Sequence, residues 1–126
     1  MRKYTAKEKK KQDRELRCAF EEFNDRFFAG EISIVTIVEF ASGVWNPSER
    51  EPGDGHYLPN KMKIQIDDTL RGRNRQWQII LLHEMAHAWL YQVKEYVGWK
   101  SHGGHGMTFQ GIICRLIRIG AYDGLL

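Results

Sequence analysis

Residues 77–93, WQIILLHEMAHAWLYQV, form the segment that most limits what this chain can become. Trp77, Ile79, Ile80, Leu81, Leu82, Met85, Ala86, Ala88, Trp89, Leu90, Tyr91 and Val93 leave almost no solvent face, so a helix here has to be the buried centre of a fold. Into that helix the sequence sets two imidazoles and a carboxylate, His83, Glu84 and His87. Such groups are costly to bury unless they are hydrogen-bonded, ion-paired or bound to a metal. Residues four apart share a helix face, so His83 and His87 can offer ring nitrogens to one ion while Glu84 points beside it. HExxH on a buried helix is therefore read as a zinc site, against the plainer alternative of two core histidines satisfied by backbone or carboxylate hydrogen bonds.

A catalytic zinc needs a third protein ligand and keeps one position open for water. Leu90 and Val93 stand where the extended motif HExxHxxGxxH has glycine and histidine, so that branch is excluded. Glu95 is eight residues beyond His87, roughly 12 Å along a continuing helix, too far to share the ion. The remaining donors are His102 and His105, in the glycine-rich loop 101–106, where glycines allow the chain to turn back over the helix. His105 is preferred, because Phe109 one turn later can anchor the loop in the core; His102 is the alternative, and His56, in a Pro/Gly-rich loop, is expected to be exposed. With three histidines on zinc, the expected chemistry is peptide hydrolysis. Glu84 would take a proton from the attacking water and deliver it to the leaving amine. Tyr57, Tyr91 and His102 are candidates for steadying the oxyanion.

The flanking segments supply an α+β frame. Leu16, Ala19, Phe20, Phe23 and Phe27 recur at helical spacing and predict a first helix over 13–28, stopped by Gly30. Residues 32–40, ISIVTIVEF, read as a strand; 61–67 alternate like a half-buried strand, and 55–58 read as a short edge strand between them. Asp67, Asp68 and Thr69 are cap candidates ahead of the long helix over 74–96, which Gly98 ends. Phe109, Ile112, Ile113, Leu116 and Ile117 define a last amphipathic helix. Cys18 and Cys114, the only two cysteines, each lie in an apolar-periodic segment and are expected to be reduced core thiols.

Charge is unevenly spread. Residues 1–17 hold eight basic side chains against three acidic ones, although the whole chain carries a net charge of only +3. The expectation is a basic N-terminal arm over 1–12, a domain over 13–126, and a second basic cluster at Arg71, Arg73 and Arg75. Both clusters suit nucleic-acid phosphates; the arm is equally readable as a solvated tail. Residues 1–17 have no apolar stretch of the kind a secretory signal needs, and no run approaches a membrane span, so a cytoplasmic address is expected, with nucleoid association allowed by the charge.

The blocks FNDRFFAG (23–30), KIQI (63–66), ILLHEMAHAW (80–89) and His105-Gly106-x-x-Phe109 occur in this order over residues 16–118. In that arrangement the chain resembles the SprT-like family. The resemblance implies a minimal zincin-like fold of three main helices on a small, about three-stranded sheet. It further implies Zn2+ held by His83, His87 and His105, Glu84 as catalytic base, and protein substrates bound or crosslinked to DNA. Many members carry a four-cysteine zinc ribbon; two cysteines cannot form one, so ribbon-mediated DNA binding is not carried over. Two other readings stand beside it. One is a regulatory metallopeptidase that cleaves a single partner without DNA. The other is a non-catalytic DNA-binding module with a structural zinc, against which the open three-histidine set beside Glu84 counts.

Overall fold

In the computed structural model, residues 3–46, 51–94 and 107–126 are described. The first helix, α1 (Ala6–Phe27), begins where Thr5 caps it: the Thr5 hydroxyl accepts from the Glu8 amide at 3.1 Å, and the Glu8 carboxylate accepts from the Thr5 amide at 3.0 Å. This reciprocal capping box starts the helix seven residues before the expected Asp13. Most of the expected basic arm is therefore ordered helix. At the other end the Phe28 and Gly30 amides both return to the Asn24 carbonyl, at 3.1 and 2.8 Å, while Ala29 and Gly30 take positive φ. The buried Asn24 side chain then grips the Ile32 backbone at both its amide and its carbonyl, which fixes the exit direction of the chain.

A three-stranded sheet follows, ordered β1 (Ile37–Ala41), β5 (Lys63–Asp67), β4 (Gly55–Leu58), with β1 parallel and β4 antiparallel to β5. The two-residue strands β2 (Trp45–Asn46) and β3 (Glu51–Pro52) pair separately as a small antiparallel ribbon. The expected strand over 32–40 is shortened, and the reason is local. Thr36 turns back onto Ser33, and the Arg17 guanidinium takes the Ile34 and Thr36 carbonyls at 2.7 and 2.6 Å, leaving Ile34 and Val35 in solvent. Their β-branching imitates a strand that the backbone hydrogen bonds do not form.

The long helix α2 (Asn74–Lys94) lies against β4, β5 and α1. Trp77, Leu81, Leu82, Met85, Ala86, Ala88, Trp89 and Leu90 are buried on it, as an all-round apolar helix requires. Ile64 and Ile66 of β5 and Phe40 of β1 complete this core, with the Phe40 ring edge-on to Trp77. The last helix, α3 (Met107–Arg118), packs on α2 and sends Phe109 and Leu116 inward. Cys18 and Cys114 are exposed rather than in the core. Each lies two residues from a buried leucine, Leu16 or Leu116, and two residues is about 200° of helical turn. Among the described residues no helix is long and apolar enough to cross a membrane.

Candidate metal centre

One face of α2 carries the two histidines with their ring centroids 5.0 Å apart and their planes at 70°. Two imidazoles bound to one tetrahedral zinc at about 2.0–2.1 Å stand with centroids roughly 5 Å apart, so this pair fits the donor set of such an ion. Phe109 from α3 closes over both rings. It stacks on His87 at 4.1 Å and 16°, and meets His83 edge-on at 4.9 Å. Phe109 is buried and bears directly on the two histidines, whereas the loop it is expected to anchor lies outside the described residues. His102 and His105, the two readings of the third ligand, lie outside the described residues, as does Gly98. Among the described residues no group of three or more His, Cys, Asp and Glu side chains is placed to hold a metal.

Glu84, only 6% exposed, is the one buried carboxylate of α2. Burial pushes its pKa up to about 8, against the opposing effect of a hydrogen bond from the Tyr57 backbone. A neutral acid is the cheaper buried form, and only a nearby donor or cation draws the proton off.

The Tyr57 contact follows from the pairing of β4. The Asp67 amide donates to the Asp54 carbonyl at 2.7 Å, and antiparallel pairs alternate between hydrogen-bonded and open. His56 and Leu58 therefore bond toward β5, whereas the Gly55 and Tyr57 backbone groups face the free edge of the sheet. The Tyr57 amide meets the Glu84 carboxylate there. Gly55 makes the approach possible, because a Cβ at that position would stand 2.6 Å from Ile80 Cγ2 and 3.4 Å from Glu84 Cγ. A glycine inside an edge strand signals close approach of another element, and that was the available clue to this contact. Tyr57, one of the three oxyanion candidates, has its hydroxyl accepting from Gln92 Nε2 at 3.0 Å and its backbone amide at the Glu84 carboxyl group.

Two further expectations change. His56 is half-buried, with Nε2 2.6 Å from Gln65 Oε1 on the neighbouring strand. It projects to the sheet face opposite Gly55 and Tyr57, so it is no part of the centre. Arg71 is no member of a surface cluster: it is 9% exposed, pairs with Asp13 at 3.1 Å and with Asp68, and lies 4.6 Å over the Phe40 ring. Its guanidinium also bonds Gln12 at 3.0 Å, tying the segment before α2 to α1. Arg73 and Arg75 are exposed.

The sequence model of the SprT-like family matches residues 16–120. No curated protein matches the chain, and no solved structure does.

Proposed function

The chain belongs to the SprT-like family, and from that premise we propose that it is a zinc-dependent endopeptidase with His83, His87 and His105 as metal ligands and Glu84 as general base. The observation that carries the reading is the pairing of two imidazoles at 5.0 Å with a buried carboxylate on the adjacent residue. When bound, zinc supplies a Lewis acid that acidifies a water and polarises the scissile carbonyl. Glu84 takes the proton of the attacking water and returns it to the leaving amine. Its raised proton affinity suits the return step, and a neighbouring cation would draw it back toward the ionised form needed for the first. β4 is an edge strand beside Glu84. An extended substrate segment laid along that edge would bring its backbone past the carboxylate.

Substrates held on DNA are the second part of the reading. Lys7, Lys10, Lys11 and Arg14 are exposed at helical spacing on α1, and the Arg71 contacts to Asp13, Gln12 and the Lys9 carbonyl keep Arg73 and Arg75 near that end of the helix. This ridge suits a phosphate backbone better than a particular sequence, since lysines act as point charges. Because residues 6–12 are helical, deleting them would disturb the Arg71 junction, and charge reversal is the cleaner probe.

The test measures zinc content and cleavage of a DNA-bound protein, with and without single-stranded DNA, for wild type and Glu84→Gln. Zinc-loaded wild type that cleaves, beside a zinc-loaded variant that does not, supports the reading. Zinc occupancy without cleavage under either condition sinks it. The combined change of Lys7, Lys10 and Lys11 to Glu should weaken single-stranded DNA binding and flatten its logarithmic salt dependence by about 2, at roughly 0.7 per phosphate contact. An unchanged slope removes the ridge from the proposal.

A further inference from the structure

Gln92 lies eight residues beyond Glu84 on α2, roughly 12 Å along the helix axis, and cannot touch chemistry at the carboxylate. Its amide is nevertheless saturated by three partners from two other parts of the chain. Oε1 accepts from the Ser33 amide at 2.8 Å, and Nε2 donates to Thr36 Oγ1 and to the Tyr57 hydroxyl, each at 3.0 Å. The turn over 33–36 is itself held by Arg17 through the Ile34 and Thr36 carbonyls, so the partners that brace Gln92 are themselves fixed. Tyr57 thus has both ends occupied. Its hydroxyl is fixed by Gln92, and its backbone amide faces Glu84.

β4 touches α2 at Gly55 and at Tyr57, and among the described residues it has a hydrogen-bonded strand neighbour on one side only. Gly55 admits the strand to van der Waals distance of Ile80 and Glu84 but offers no bond that would retain it. At Tyr57 the strand is bonded to α2 at two points, the backbone amide at Glu84 and the hydroxyl at Gln92, with the Tyr91 ring 6.2 Å from the Tyr57 ring; the Gln92 bond is the one that holds the side chain. We propose that Gln92 is a positioning residue: by gripping the Tyr57 hydroxyl it holds edge strand β4 down on α2, so that the Tyr57 amide stays against the Glu84 carboxylate. This rests on the reading of Glu84 as the general base. A carboxylate free to rotate in an apolar pocket samples orientations that miss the water. One held by a fixed donor does not, and catalytic rates are sensitive to misplacements of about 1 Å.

The test uses the full chain, with Tyr57→Phe, Gln92→Leu and the double variant, in both the chelated and the zinc-loaded protein. Hydrogen exchange at the Tyr57 amide, resolved by NMR, reads the clamp without any activity. It should accelerate about tenfold in each single variant and no further in the double, because both substitutions break the same bond. On a peptide substrate kcat should fall about tenfold with KM and zinc affinity held within about twofold, again without additivity. Tyr57→Phe keeps the ring in place, and so keeps the test decisive if Gln92→Leu folds poorly. Wild-type exchange at Tyr57 in the variants, or losses in kcat that multiply in the double, would overturn the clamp while leaving Glu84 as base. Full cleavage by Glu84→Gln would overturn the base itself and the positioning role with it.

Discussion

The two long helices differ by one residue in length and use their side chains in opposite ways. α1 has 22 residues and buries one stripe, Leu16, Phe20, Phe23, Asn24 and Phe27, leaving its lysines in water where charge is cheap. α2 has 21 residues and is apolar around its circumference, so Glu84 and the histidines are polar by exception. A charge on α1 can be present for solubility, for a phosphate or for nothing in particular. Burying a carboxylate on α2 costs enough that it needs a compensating partner. The comparison teaches where substitution should be read as chemistry and where as surface.

The largest expected contrast is chemical. Replacing Glu84 by Gln on α2 should lower kcat by about 10²–10⁴-fold, the range of a lost general base, with zinc content unchanged when measured by metal analysis. The exposed Glu15 of α1 replaced by Gln should leave kcat as it was. Equal effects at the two positions would erase the distinction. Next in size is packing. Leu82 is fully buried, and Leu82→Ala should cost about 2–5 kcal/mol in urea unfolding. A loss below about 1 kcal/mol would mean that α2 is not the centre of the core.

The third contrast concerns pH, in protein held metal-free by a chelator. The folded pKa of Glu84 is raised from 4.5 to about 8, so the folded state binds the proton more tightly than the unfolded chain does. The stability this contributes is fully present below pH 4.5 and is lost as pH rises through about 8. Wild type should therefore weaken across that window by up to about 1.4 kcal/mol per pH unit, to a total on the order of 5 kcal/mol, beyond whatever Glu84→Gln shows. Parallel stability profiles for the two proteins would refute the buried neutral acid. α1 buries no carboxylate.

The same contrast governs what could be read beforehand. HExxH was legible because three titratable groups in an apolar run leave few physical explanations, and 55–58 was legible as an edge strand because turn residues bound it on both sides. The start of α1 was not read, since Thr5 and Glu8 look like two more polar residues in a charged stretch until their three-residue spacing is taken as a capping box. Arg71 was grouped with Arg73 and Arg75 because sequence neighbours share a charge; only the fold brings Asp13 and Phe40 to it. The Tyr57 amide at Glu84 was hidden for a deeper reason. Every residue but proline has a backbone N–H, so its use leaves no mark in the alphabet except indirectly, through the Gly55 that lets the strand approach.

The smallest contrast lies on α1 and tests whether its first turns are structure or tail. If Thr5 and Glu8 cap the helix as their two hydrogen bonds at 3.1 and 3.0 Å indicate, Thr5→Ala should destabilise the protein by about 1 kcal/mol, and Thr5→Gly by only a few tenths. Helical content near Lys7 to Lys11 should fray in the alanine variant and be seen in faster amide exchange there. The Arg71 junction transmits part of that fraying, because Lys9 and Gln12 are among its partners; Thr5→Ala should therefore also loosen the segment ahead of α2 while leaving the exchange of amides near Leu82 unchanged. A Thr5→Ala protein with wild-type stability and wild-type exchange over residues 6–12 would return those residues to the status of a solvated arm, and the ordered basic ridge would go with them.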